Sequence, residues 1–461
     1  MGDAGILVAA IDVAARESML FAAIWFLVGG LDDLAVDVLY LLRRLRGRIR
    51  GAPEPALPDA VPPGRIAVFV PVWREERVIG AMLRRALAAF DHPDYRIYVG
   101  TYPNDPGTIR AVADVAAGDA RVRLVIGDDP GPTTKAANLN AMWRAMLREE
   151  AAEGITVHAV VLHDAEDYVH PLELRVYADR LRGLDAVQIP VLPLRHRRSR
   201  WVSGHYCDEF AEAHAKQLLV RQAVGAGLPL AGVGCAIRRE MLARVAAARG
   251  APFDPASLTE DYELGLTIAA MGGRCRLVRV PEAPGGPPVA VRAYFPTTLH
   301  AAVRQKARWM TGIALAGWDR TGWARGRQIG DHWMRMRDRR ATLEIPVLAT
   351  AYCALLLWGL SLLGHAAATT QAPVPPPEVR WLLGLNLALL GWRVAVRAAI
   401  VRRAYGWREA ALSVPRILVG NLIALLAARR ALFDYLRMLA GGVPHWDKTE
   451  HEFPEAESAA A

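Results

Sequence analysis

Five polar groups recur along the 461-residue chain in an order that could do chemistry on a diphosphate leaving group. They are Asp105, Lys135, the Asp164/Glu166/Asp167 run, Glu260 with Asp261, and Gln305 with Arg308 and Trp309. A nucleotide-sugar carries a diphosphate, and its departure needs neutralising charge. A hard divalent ion, Mg²⁺ or Mn²⁺, held by one or two carboxylates supplies it. Asp164 and Glu166 are typed for that, with Asp167 as a substitute ligand. A separate carboxylate, Asp261 beside Glu260, can take the proton of an attacking hydroxyl. Lys135 or Arg308 can meet the developing negative charge.

Each piece has a plainer reading alone. Asp105 stands in Asn-Asp-Pro-Gly, good turn text. Asp164 could cap a helix. Thr259-Glu-Asp also reads as a helix start, with Thr as cap and acids against the dipole. The basic "QKAR" could line a surface helix with snorkelling side chains. The combination and its order favour the chemical reading.

The elements that must position these groups are strands and helices in alternation from about residue 64 to 300. "RIAVFVPV" (65–72), "YRIYVGTYP", "RVRLVIG" and "TVHAVVLHD" read as strands, and "ERVIGAMLRRALAAF" as an amphipathic helix. The pattern is a Rossmann-like α/β fold, in which ligands gather at the carboxyl ends of parallel strands. The first two acidic motifs fall just past such strands.

Around this region lie apolar stretches at 18–42, 344–364, 380–401 and 411–427. The first three are long enough to span a bilayer, which takes ~20 apolar residues. Basic runs follow the first ("RRLRGRIR") and precede the second ("RMRDRR"), which places 43–343 in the cytosol. The fourth is short, holds Pro415, Arg416 and Asn421, and is basic at both ends. It reads as an interfacial or re-entrant segment. The expected organisation is an anchor (1–50), an α/β domain (51–320), a basic connector (321–343), two spanning helices (344–401), and an interfacial segment with a cytosolic tail (402–461). Asp33 and Asp37 are four residues apart in the first stretch, as are Arg393 and Arg397 in the third. Buried charges need partners, so the two pairs are expected to meet.

Apolar residues make up 53% of the chain and its formal charge is +9, with only four lysines. That balance suits a mixed membrane and soluble protein with anionic partners. A nucleic-acid binder is excluded, since no such motif is present and the arginines follow the membrane topology. The four cysteines lack metal or disulfide spacing and read as reduced thiols.

Together "VPVWREE", "YPND", "KAANLN", "DAED", "TED" and "QKARW" resemble the signature of membrane-embedded family 2 glycosyltransferases, over about residues 64–315. That family includes cellulose and hyaluronan synthases. Details such as "GTYPNDPGT", "HDAEDYVHP" and "HWDKTEHEFP" look most like its phage-adsorption branch. The resemblance implies a GT-A domain, an inverting mechanism, a UDP-sugar donor, a growing glycan acceptor, membrane lipid around the helices and an envelope export partner. It places Pro71, Glu75, Asp105, Lys135, Asp164 and Arg308 at the nucleotide-sugar, with Asp105 on the uracil. Asp164 and Glu166 stand at the metal positions, with Glu in place of the second Asp, and Asp261 is the base. Gln305, Arg308 and Trp309 would hold diphosphate and acceptor, a set that favours polymerisation. The location implied is the bacterial inner membrane. The alternative is a catalytically silent scaffold of a surface-glycan or phage-adsorption system. Relatives in that branch commonly carry a C-terminal cyclic di-GMP domain, for which about 30 residues after the last apolar stretch leave no room.

Overall fold

The computed structural model describes residues 3–50, 57–58, 64–442 and 452–454. The linker around 51–63 and most of the "HWDKTEHEFP" tail lie outside the described residues.

The chain enters on one long helix, α1 (Asp3–Arg50). Hydropathy marks only its apolar middle; the helix continues through polar turns on both sides. The catalytic-sized domain then alternates: β1 (Ile66–Pro71), α2 (Ile79–Ala89), β2 (Tyr95–Thr101), α3 (Pro106–Gly118), β3 (Val122–Ile126), α4 (Lys135–Glu153), β4 (Ala159–Leu162) and α5 (Glu173–Arg180). All six residues of β1 are buried, the mark of a central strand covered on both faces. In α2, Ile79, Met82, Leu83 and Ala86 repeat at helical spacing and face the core.

Three short strands complete the sheet: β5 (Ala186–Gln188), β6 (Cys235–Arg238) and β7 (Cys275–Leu277). Their brevity kept them below the periodicity signal. Between and after them come α6 (Val202–Glu212), a π turn (Ala213–Gln217), α7 (Leu218–Ala223), α8 (Arg239–Arg249) and α9 (Glu260–Ala270). The sheet order is β3-β2-β1-β4-β6-β5-β7. β1, β2, β3 and β4 run parallel, whereas β6 is antiparallel to β4 and β5. Because Leu162 at the end of β4 pairs with Cys235 at the start of β6, the loop entering β6 reaches the same sheet edge as the loop leaving β4.

Beyond the sheet, α10 (Leu299–Met310) runs into a second π turn (Thr311–Leu315), then α11 (Ala316–Thr321) and α12 (Ile329–Arg339). Three long helices follow: α13 (Ala341–Ala367), α14 (Pro377–Tyr405) and α15 (Trp407–Leu439). With α1 they make four helices long and apolar enough to cross a membrane. α1 packs on α13 and α14, and α15 packs along α14, α10 and α6. The fourth apolar stretch is thus part of one unbroken helix through Pro415, without the break a re-entrant loop needs.

The expected charge pairing holds in half. Arg393 Nη1 lies 3.0 Å from Asp33 Oδ2. Asp37 instead takes Lys216 at 2.5 Å and the Trp392 indole at 2.9 Å. Arg397 turns to Glu212 at 2.9 Å. Arg340 and Arg337 also reach Asp33, at 2.8 and 2.9 Å. The α/β domain and connector therefore supply partners that helix spacing alone could not reveal.

Candidate active site

The parallel strands deliver their carboxyl ends to one cleft of about 1250 Å³. Pro71 and Glu75 line it from the end of β1. Lys135 enters as the first residue of α4, whose start is fixed by Thr134: its hydroxyl accepts from Ala137 N at 3.2 Å. Asp164 leaves the end of β4, and Lys135 Nζ lies 2.6 Å from its Oδ1. Glu260 and Asp261 open α9 on the facing wall, and Gln305, Arg308 and Trp309 line the cleft from α10. The chain order of the motifs therefore closes into one ring of side chains.

The electrostatics of this ring follow from burial. It pushes the Glu260 carboxyl up to about 7, with Asp261 adding to the rise. Burial also raises Asp261, against the opposing charge of Lys135. Burial opposes the Lys135 ammonium, yet Asp164, Glu260 and Asp261 together outweigh it and hold its proton more tightly than usual. A carboxylate with a raised pKa beside a fixed cation is suited to accept a proton near neutral pH.

Two acidic residues carry contacts that the motifs did not show, and Asp167 also lines the cleft. Asp167 is 2% exposed, and its Oδ2 meets His163 Nδ1 at 2.7 Å and accepts from Asp164 N at 3.0 Å. It shapes the Asp164 loop from beneath. Asp105 does not line the cleft. Its carboxylate accepts from Arg74 N at 2.6 Å and from Thr108 N at 3.4 Å, capping α3. Arg74 has φ +55°, a left-handed conformation costly for a non-glycine residue. Asp105 thus holds the strained rim that projects Arg74, itself a lining residue.

Thr259 precedes α9, but its hydroxyl makes no capping bond. A Cβ on Gly312 would lie 2.6 Å from Thr259 Cγ2, so the π turn after α10 presses directly on the Thr-Glu-Asp loop. π turns inside helices frequently mark functional sites. The Gln305 Oε1 acceptor is buried and has no hydrogen-bond partner among the described residues. Trp309 is set by Tyr206 and Phe210, with ring centroids at 6.2 and 6.1 Å.

A family model for "Glycosyltransferase like family 2" matches residues 62–312. The chain belongs to this family. Two curated relatives, "Bacteriophage adsorption protein B" of Escherichia coli (strain K12) and "Bacteriophage N4 adsorption protein B" of Escherichia coli O157:H7, are each 35% identical over 94% of this chain. The chain spans 61% of their length. A mannosyltransferase from Pyrobaculum calidifontis, solved with GDP-Man and Mn²⁺, superposes with a TM-score of 0.51 at 18% identity, covering 90% of this chain and 98% of that one. That likeness is one of fold, a GT-A-type α/β sheet.

The chain gathers, among the described residues, no group of three or more His, Cys, Asp or Glu side chains as a closed cation cage. Divalent ions at nucleotide sites use fewer protein ligands, taking the rest from phosphates and water. Asp164 and Glu166 fit that need. Both line the cleft, and Asp164, one-third exposed, already faces the cationic head of Lys135.

Several contributors were given no role by the sequence reading. His163 is fully buried between Asp167 and Glu173, at 2.7 Å from each. Burial opposes its charge, but the two carboxylates raise it to about 10, so an imidazolium pins the Asp164 loop. Gly232, with φ +71°, approaches so closely that a Cβ would lie 2.5 Å from Asp261 Oδ2 and 3.4 Å from Lys135 Nζ. Asn104 clasps Gly131 through two backbone bonds of 2.7 Å, fixing the loop before α4. Its place beside Asp105 in "YPND" was the available hint. Glu452 and Phe453 also line the cleft, from a region with no chemical motif.

Proposed function

We propose that this glycosyltransferase is an inverting enzyme of the bacterial inner membrane. It moves a sugar from a UDP-sugar to a growing envelope glycan, with its catalytic domain in the cytosol. The observation that carries this is the Lys135–Asp164 pair set opposite Glu260 and Asp261, with Gln305, Arg308 and Trp309 across the same cleft.

In this reading Asp261 removes the proton of the acceptor hydroxyl as that oxygen attacks the anomeric carbon. The bond from that carbon to the diphosphate oxygen breaks, and nucleoside diphosphate leaves. Lys135 and Arg308 face the charge that develops on it. Asp164 and Glu166 would hold Mg²⁺ or Mn²⁺, which when bound neutralises the diphosphate. Gln305 offers its unpaired carbonyl to a ligand hydroxyl, and Trp309 a face for sugar packing. Successive additions would use Trp309, which lines the same cleft as Arg308, as the face for the extended glycan.

The placement of α15 supports the membrane reading. Arg416, near its start, donates to Arg200 O at 2.7 Å and to Asp208 at 3.2 Å. Tyr435, about 28 Å further along the helix, donates to Asp319 Oδ2 at 2.6 Å. Both ends therefore touch the catalytic domain. A crossing of the ~30 Å apolar layer would carry one end away from it. We infer that α15 lies along the cytosolic membrane surface.

The test is release of nucleoside diphosphate by detergent-purified protein, against UDP- and GDP-sugars with Mg²⁺ or Mn²⁺, beside Asp261→Asn. Turnover of one UDP-sugar, reduced ~10²–10⁴-fold in the variant, is expected. Turnover of a GDP-sugar would replace the donor assignment. Undiminished activity in Asp261→Asn would remove Asp261 as the base.

A further inference from the structure

A second cavity of about 750 Å³ lies on the far side of α10 from the active-site cleft, between α10 and α15. Its basic lining is Arg429, Arg430, Arg437 and His300; its apolar lining is Leu299, Val303, Leu426 and Phe433. One carboxylate, Asp434, also lines it, 3.6 Å from Arg430 and 3.7 Å from Arg437. Among the described residues, three guanidinium groups and one carboxylate line the groove. No step of sugar transfer uses these residues.

The groove has a definite place on α15. At 100° per residue, the exposed apolar residues Val414, Leu418, Leu422, Leu432, Phe433, Leu436 and Leu439 fall within about one third of the helix circumference. Ile423, Ala427 and Ala431 form the opposite, fully buried face, with Ala427 and Ala431 packed on Ala307 of α10. Leu426, Arg430, Phe433 and Arg437 lie along the border between these two faces. With α15 on the membrane surface, that border is the depth at which headgroups meet acyl chains. Arg437 is 75% exposed on its side chain, in reach of that layer.

We propose that this groove binds an anionic phospholipid from the cytosolic leaflet. The phosphate meets the guanidinium forks of Arg429, Arg430 and Arg437, which match its geometry. An acyl chain lies on Val303, Leu426 and Phe433. The combination favours a lipid over a soluble phosphate, because half of the lining has no use for a free anion. His300 lines both the groove and the active-site cleft, so the bound lipid sits against the helix that carries Gln305, Arg308 and Trp309. The proposal rests on the surface placement of α15 and is independent of which sugar is moved.

The experiment is native mass spectrometry of the full chain in detergent, titrated with phosphatidylglycerol or phosphatidylcholine. Wild type is expected to retain phosphatidylglycerol preferentially. Arg437→Gln should weaken that retention about fivefold, and the Arg429→Gln/Arg430→Gln/Arg437→Gln variant about a hundredfold. Arg402→Gln/Arg403→Gln, at the end of α14, should leave it unchanged. Equal retention of both lipids by wild type, or unchanged retention in both groove variants, overturns the site. Displacement of phosphatidylglycerol by millimolar inorganic phosphate would make the occupant a soluble anion and overturn the lipid assignment. Arg437→Cys in a Cys353→Ser background, labelled from the cytosolic side of membrane vesicles, checks the placement separately. Protection from that side, with labelling from the other, overturns the surface placement and the site with it.

Discussion

The ammonium of Lys135 lies 2.6 Å from Asp164 Oδ1, where the first turn of α4 meets the carboxyl end of β4. Both residues sit at places the backbone fixes, one just after a capped helix start and one just after a buried strand. The cation also acts on Glu260 and Asp261, lowering what burial raises. Lys135 is therefore the electrostatic hub of the cleft.

Replacing that hub should show in a pH profile. Lys135→Met removes the charge that favours ionised Asp261, so the carboxyl becomes a weaker acid. A base must be deprotonated to act, and the acidic limb of kcat/KM should move to higher pH. Turnover at neutral pH should fall by about 10²–10³. Lys135→Arg should keep part of the activity and most of the wild-type limb. A uniform loss with an unmoved limb would show that Lys135 acts on substrate alone.

Glu260 makes a stability prediction with a defined sign. Its carboxyl is raised from 4.5 to about 7 in the folded protein, chiefly by burial. Between those values the folded state holds a proton that the unfolded chain has released. Stability from this group is thus lost as pH rises through that window, by roughly 3 kcal/mol at the upper end. Glu260→Gln should raise Tm at pH 8 and change it much less at pH 5, measured on metal-free protein in detergent. Equal shifts at both pH values would assign the titration elsewhere.

The cleft was readable from sequence where a motif combines a strand end with a charged residue. "AVVLHD" announced both β4 and Asp164, and "KAANLN" singled out Lys135. The readings lost precision where a side chain's partner is remote in sequence. Asp167 lines the cleft, but its bond to His163, and that of His163 to Glu173, show only in the fold. The bond from the Arg74 backbone to Asp105 crosses from one strand end to the next, which no local pattern shows. β5 and β7, at three residues each, are too short for alternation to register.

Gly232 carries no functional group, yet the geometry gives it a sharp expectation. Its φ of +71° is strained for any side chain, and a Cβ would intrude on Asp261 Oδ2. Gly232→Ala should cut kcat strongly, since the base must shift by several tenths of an ångström or more. Nucleotide affinity should fall less, because the Cβ would lie 2.5 Å from Asp261 Oδ2 but 3.4 Å from Lys135 Nζ. Unchanged kcat in a folded Gly232→Ala protein would mean that the loop entering β6 yields freely.

Arg393 and Arg397 look equivalent in sequence, one helical turn apart, but should differ in consequence. The Arg393 side chain is 49% exposed, and its partner Asp33 keeps Arg337 and Arg340 when Arg393 is removed. Arg397 is 15% exposed, and its partner Glu212 only 5%, with Lys216 as the remaining cation. Removing one member of a buried pair costs about 3–5 kcal/mol, whereas an exposed pair contributes about 1 kcal/mol or less. Arg393→Ala should therefore lower thermal stability slightly. Arg397→Ala should lower it severely, toward the upper range because Lys216 must then balance both Glu212 and Asp37 alone. Arg397→Lys, which keeps the charge, should recover part of the loss. Thermal unfolding of the three variants in one detergent gives the ranking. Equal losses for the two alanine variants would mean that the joint between α6 and α14 is wet enough to solvate Glu212 without its guanidinium.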